Sequence, residues 1–169
     1  MANTYTLISS VTVGSGGAAN IEFTSIPSTY TDLVVKLSAR SARSAAGTDF
    51  VQINFNSSAS NFTARGLESN GATASSFTDT VFLGAISSAG GTASTFGSLE
   101  LYIPNYASSN NKSFSTDSVS ENNATTAYTE LTAGLWSQTT AISSIKILSA
   151  TANNFLQYST AYLYGISNA

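Results

Sequence analysis

The chain has 169 residues, a size that suits one domain; 42% are hydrophobic, 11% aromatic and only 9% charged, against about 25% charged in ordinary soluble proteins. That content of aromatic and β-branched residues argues against disorder. The six cations, Lys36, Arg40, Arg43, Arg65, Lys112 and Lys146, are scattered within a net charge of −3, which excludes the basic footprint of a nucleic-acid binder.

The chain carries 30 Ser and 22 Thr, so its surface is wetted by hydroxyls rather than charges. Helical spacing is nearly absent and period-2 alternation is common, which reads as all-β. In the first strand Tyr5, Leu7, Ser9, Val11 and Val13 share one face, with Thr6, Ser10 and Thr12 on the other. "GSGG" at 14–17 turns the chain into a short strand, "NIEF". After the lead-in "TSIPSTYT", the apolar run "DLVVKLSA" at 32–39 has the character of a central strand. "FVQINFN" at 50–56 sets Val51, Ile53 and Phe55 against Phe50, Gln52 and Asn54. "NFTARGLE" at 61–68 is a weaker strand, and 69–78 reads as a loop. "DTVFLGAI" at 79–86 follows, then "FGSLELYI" at 96–103, where Leu99, Leu101 and Ile103 alternate with Glu100 and Tyr102. Pro104 ends that strand because it has no N–H for a ladder. "KSFSTDSVSE" alternates with few apolar residues, as an edge or surface strand does. "AYTELTAGLWS" and "SIKILSA" precede a last strand-like run from Phe155 to Ile166. In it Tyr158, Tyr162 and Tyr164 share one face, and Ala161 and Leu163 the other.

About ten short strands with regularly spaced turns predict a single antiparallel β-sandwich, jelly-roll-like, spanning residues 1–169. Its first and last strands are expected to be neighbours in one sheet.

Absence of His and Cys removes the Ser–His–Asp triad, imidazole metal sites, thiolate chemistry and disulfides. Nine carboxylates remain, and Glu100 with Glu121 is one pairing open to a glycosidase. A sugar-cleaving groove would have only Trp136 to draw on. The expectation is a protein that is not an enzyme and holds no cofactor. "DFVQINFN" and "STDSVSENN" bring Asp and Asn together without the spacing of a Ca²⁺ loop. "GSGG" lacks the helix and Lys of a phosphate cradle. The N-terminus lacks the pattern of a signal peptide, and no apolar run approaches the roughly 20 residues of a membrane span. Synthesis in a cytoplasm with no membrane partner is therefore expected.

The segments "FTSIPSTYTDLVVKLSARS", "INFNSSASNFTARGL", "SLELYIPNY", "LWSQTTAISSIKI" and "YSTAYLYGI" carry a resemblance over nearly the whole chain. In that order they resemble small virion structural proteins of tailed, particularly marine, bacteriophages. The resemblance implies a β-sandwich on the particle exterior, with no catalytic residues to transfer. It implies a homo-oligomer, a trimer in preference, bound to the major capsid protein or other virion proteins as a decoration, cement or head-fibre protein. Aromatic residues beside low-charge strands, Tyr102, Tyr106, Phe114, Tyr128 and Trp136, are the expected interface. Two alternatives stay open. One is a tail-fibre or receptor-binding domain touching host surface glycan through loops 56–61, 69–78 and 105–113. The other is a carbohydrate-binding module using Tyr102, Tyr106, Tyr128 and Trp136.

Overall fold

The computed structural model describes residues 4–79, 81–123 and 127–167. Among these are twelve strands and no helix: β1 (Tyr5–Thr12), β2 (Asn20–Phe23), β3 (Asp32–Ser41), β4 (Thr48–Phe55), β5 (Phe62–Ser69), β6 (Ala74–Asp79), β7 (Phe82–Ser88), β8 (Gly97–Ile103), β9 (Lys112–Ser120), β10 (Tyr128–Trp136), β11 (Ile145–Ser149) and β12 (Thr160–Ile166). They form two antiparallel layers, ordered β1-β12-β3-β8-β9-β10-β5-β6 and β2-β11-β4-β7. Among the described strands, a two-residue parallel ladder from Arg40 and Ser41 to Ser87 and Ser88 joins the layers.

Removing the paired strands β5–β6 and β9–β10 exposes the plan. Eight strands remain, in sheets β1-β12-β3-β8 and β2-β11-β4-β7. The chain crosses from one sheet to the other at each step except β4 to β7, which are neighbours. This is the double Greek key of a jelly roll. The two inserted pairs leave the body between β4 and β7 and between β8 and β11, and together they extend the first sheet beyond β8. As expected, the first and last strands pair, with Tyr5 opposite Ile166 and Thr12 opposite Thr160.

Alternation in the sequence decides what each strand buries. Val51, Ile53 and Phe55 of β4 are fully buried, as are Leu101 and Ile103 of β8 and Leu33 and Val35 of β3. Each such side chain contributes about 1.5–3 kcal/mol of transfer free energy. An aromatic cluster ties the extension to the body. Phe55 of β4 meets Phe62 of β5, Phe114 of β9 and Trp136 of β10, with ring centroids 5.4–5.7 Å from its own.

The seam between β7 and the extension is polar. Thr116, Ser118 and Ser120 of β9 all point inward and are buried. The Thr116 hydroxyl donates to the Leu83 carbonyl, and the Ala85 N–H donates to Ser118 Oγ at 3.0 Å. Ser118 Oγ in turn bonds Glu130 at 3.2 Å, and Ser87 meets Ser120 at 3.4 Å. The backbone of β7 here has β4 on one side only, so side-chain hydroxyls take the place of a neighbouring strand. Gly84 makes the approach possible, because a Cβ there would collide with Ser118.

Four expectations need correction. Residues 69–78 are not one loop, since β6 occupies Ala74–Asp79 as an edge strand paired to β5. Its short hydroxyl side chains give no apolar alternation, and its one apolar anchor, Phe77, lies over Gly66 of β5. β9 is not an edge or surface strand; it lies between β8 and β10. The first strand does not keep one face, because its register slips between Leu7 and Ser9, opposite Tyr164 and Leu163. The extra residue of that bulge, Ile8, turns Tyr5 and Leu7 outward while Val11 packs on the core. Finally, Tyr158 precedes β12 instead of sharing its outer face with Tyr162.

Candidate functional site

Of the five aromatic residues expected at an interface, three are core residues. Tyr106, Phe114 and Trp136 are at most 4% exposed. Tyr106 donates its hydroxyl to the Pro27 carbonyl, and burial raises its pKa. Phe114 and Trp136 belong to the aromatic cluster. Their positions on the inner faces of β9 and β10 leave them no access to a partner or a sugar. Tyr102 and Tyr128 are half-buried. Tyr102 donates to Asp32 Oδ2 at 2.8 Å, and that bond is the main cause of its raised pKa. Asp32 Oδ1 accepts from the Asn105 N–H at 2.8 Å, so this pair fastens the turn after β8. Tyr128 packs edge-on against Phe50.

Large apolar groups are exposed elsewhere. One row of outward residues crosses the whole long sheet: Ser10, Tyr162, Lys36, Glu100, Asp117, Leu131, Leu67 and Ser76, each opposite the next. Lys36 and Glu100 form an ion pair in its middle. Leu131 and Leu67, cross-strand partners on the extension, are 59% and 63% exposed. A shallow depression of about 490 Å³ lies beside them, walled by Arg65, Thr78 and Ala133. At the other end Tyr5 and Leu7 stand out from β1. Alternation alone shows that Leu67 and Leu131 are on the same face. Only the register makes them adjacent.

A second feature lies at one end of the sandwich. The β1–β2, β7–β8 and β11–β12 connections surround a groove of about 620 Å³ whose lining includes Tyr158, Phe96, Asn154 and Gln157. Tyr158 is 68% exposed and sits in the left-handed region at φ 72°, a conformation that costs a non-Gly residue on the order of 1 kcal/mol. Two bonds hold it there: Tyr158 N–H to Val13 O at 3.0 Å, and Val13 N–H to Ser159 O at 2.8 Å.

Two carboxylates, Glu100 and Asp117, share a depression of about 400 Å³ on the open sheet face, with Lys36 paired to Glu100. Glu100 faces Asp117 across the ladder and not Glu121, whose Oε1 accepts from the Asn123 N–H. Asp49 is fully buried and accepts from Ser149 at 2.8 Å and Thr151 at 2.9 Å. Among the described residues no three Asp or Glu gather as metal ligands do. Buried Glu130 has its pKa raised to about 7 by desolvation, opposed by its bond from Ser118. It faces the seam and no open cavity.

No protein-family model, no curated protein and no solved structure matches this chain.

Proposed function

We propose that the chain is a non-enzymatic structural protein of the phage particle exterior, working as a homotrimer that decorates or cements the head. One observation carries this reading: the outer face of the eight-stranded sheet is broad and, beyond the charged cluster of Lys36, Glu100 and Asp117, is set with exposed Leu67, Leu131 and Val119. Such a face suits close apposition to another protein surface, by apolar contact at the centre and hydroxyl hydrogen bonds around it. The resemblance to phage virion proteins supports the location and the trimer. The ion pair that commits Glu100 to Lys36 beside Asp117, together with a chain that carries no His and no Cys, supports a role without catalysis. A jelly roll held by its own core, with no Cys, suits assembly in a bacterial cytoplasm.

The deciding experiment locates the protein on intact particles by labelled antibody and by density maps. Copies distributed over the capsid lattice are expected. Copies confined to the tail, with loss of adsorption when the protein is removed, overturn the head assignment in favour of a tail-fibre role. A Leu67→Asp/Leu131→Asp variant is expected to fold, since both side chains are exposed, and to leave the particle.

A further inference from the structure

The groove at the end of the sandwich has a chemistry that the docking face lacks. Tyr158 presents an open ring beside half-buried Phe96. Around them stand the side-chain amides of Asn154 and Gln157 and the hydroxyls of Ser15 and Ser94. Among the described residues, none of these amides or hydroxyls has a hydrogen-bond partner. Each amide offers both donors and an acceptor.

The groove is also electrically quiet. Its one charged side chain, Arg40, is 7% exposed and already committed. Its guanidinium donates to Thr92 O at 2.6 Å, Thr95 O at 2.9 Å and Gly91 O at 3.3 Å. Those bonds fix the β7–β8 connection that carries Ser94 and Phe96. No carboxylate lines the groove. The ligand that fits has no charge, an apolar face for an aromatic ring and many hydroxyls for amides. A neutral hexopyranose meets all three demands. Its C–H face lies on the electron-rich face of tyrosine, and its rim hydroxyls reach the amides. The groove volume falls in the range of small-ligand sites, about 300–1,000 Å³.

Local backbone geometry points the same way. Leu156 O accepts from Ser159 N–H at 3.1 Å, closing a tight turn with Tyr158 at its left-handed position. Glycine is the residue that such a position favours. The ring of Tyr158 is mostly exposed and fills no core space, so packing does not account for tyrosine there.

We propose that this groove is a binding site for a neutral glycan, with Tyr158 as the stacking platform and Asn154 and Gln157 as the hydrogen-bonding rim. The proposal goes beyond the docking role and does not depend on it: docking is read on particles, glycan binding on the isolated chain.

The test is saturation-transfer NMR of the full chain with the methyl glycosides of glucose, galactose, mannose and N-acetylglucosamine, and with glucuronate as the charged control. At least one neutral glycoside is expected to bind, with a Kd on the order of 1 mM for a single ring. Tyr158→Gly is expected to melt no lower than the parent and to lose at least about tenfold in affinity. Gln157→Ala is expected to weaken binding, and Tyr162→Ala, on the sheet face, to leave it unchanged. Three binding results overturn the proposal: no neutral glycoside binds the parent, Tyr158→Gly binds as the parent does, or glucuronate binds as tightly as the neutral sugars. A lower melting temperature for Tyr158→Gly would assign the ring a structural role and overturn it as well.

Discussion

The interior has two halves that solve different problems. Under the jelly-roll body, Leu33, Val35, Leu101, Ile53 and Ile147 belong to one apolar core cluster. Under the extension, Thr116, Ser118, Ser120, Glu130 and Thr132 line the seam with β7. Strands of the body that bear the apolar residues, such as β3, β4 and β8, have a partner on each side, so their side chains need only exclude water. At Leu83 and Ala85 the backbone of β7 turns one edge to β9 with no ladder there. Hydroxyls must then satisfy it, because an unpaired buried N–H or C=O costs about 1–3 kcal/mol. The high Ser content is therefore partly structural. Some of these residues replace a missing strand.

Three substitutions separate the halves. Phe55→Ala removes the ring that Phe62, Phe114 and Trp136 share, and should cost about 3–5 kcal/mol in chemical denaturation. A loss below about 1 kcal/mol would mean that the extension is not anchored by the apolar half.

Glu130→Gln should act through pH. The folded protein holds a proton on Glu130 up to about pH 7, whereas the ordinary value is 4.5. Between these values the folded state binds more protons than the unfolded chain, so stability falls as pH rises through that window and levels off above it. The full effect is about 3 kcal/mol. Glutamine carries no such charge. Glu130→Gln should match the parent at pH 4 and exceed its melting temperature at pH 8. An unchanged slope between pH 4.5 and 7 in the variant would assign the pH dependence to another group.

Ser118→Ala, the mildest change, removes the acceptor of Ala85 N–H and the stronger donor to Glu130, leaving the carboxylate only the weaker Ala85 N–H. The expected cost is about 1–3 kcal/mol. Because the lost bond holds down the Glu130 pKa, the window in which stability falls should extend to higher pH and the total loss between pH 5 and pH 8 should grow, which thermal melts at those two values would read out.

The same division explains what could be read from sequence. β4 and β8 were legible because Val51, Ile53 and Phe55, or Leu99, Leu101 and Ile103, alternate with polar residues. β9 was legible as a strand but not as an inner one. Its buried face, Lys112 to Ser120, is as polar as its exposed face, and only the open edge of β7 makes burial of those hydroxyls favourable. The ammonium of Lys112 itself is buried against loop carbonyls, donating to Ser108 O at 2.8 Å and Thr139 O at 3.3 Å. β6 had one apolar residue to signal it. Tyr106, Phe114 and Trp136 are core residues and not interface residues because aromatic residues beside low-charge strands are common in cores as well as at interfaces. The exposed candidates, Leu67 with Leu131 and the ring of Tyr158, required register and backbone torsion, neither of which composition or alternation supplies.

The pairing of β1 with β12 also has a mechanical side. The strands run antiparallel with Tyr5 opposite Ile166, and Ser167 N–H donates to Thr4 O at 3.2 Å just outside them. Force that draws Thr4 away from Ser167 loads this ladder at its end. Its hydrogen bonds then open in turn, like a zipper, instead of resisting together as they would in shear. The bulge at Ile8 lies only a few rungs in, and the peeling strand meets it before reaching Val11 and the core. A tether through either end alone leaves the ladder unloaded. A tether pulling on both in opposite directions opens the molecule from its β1 edge.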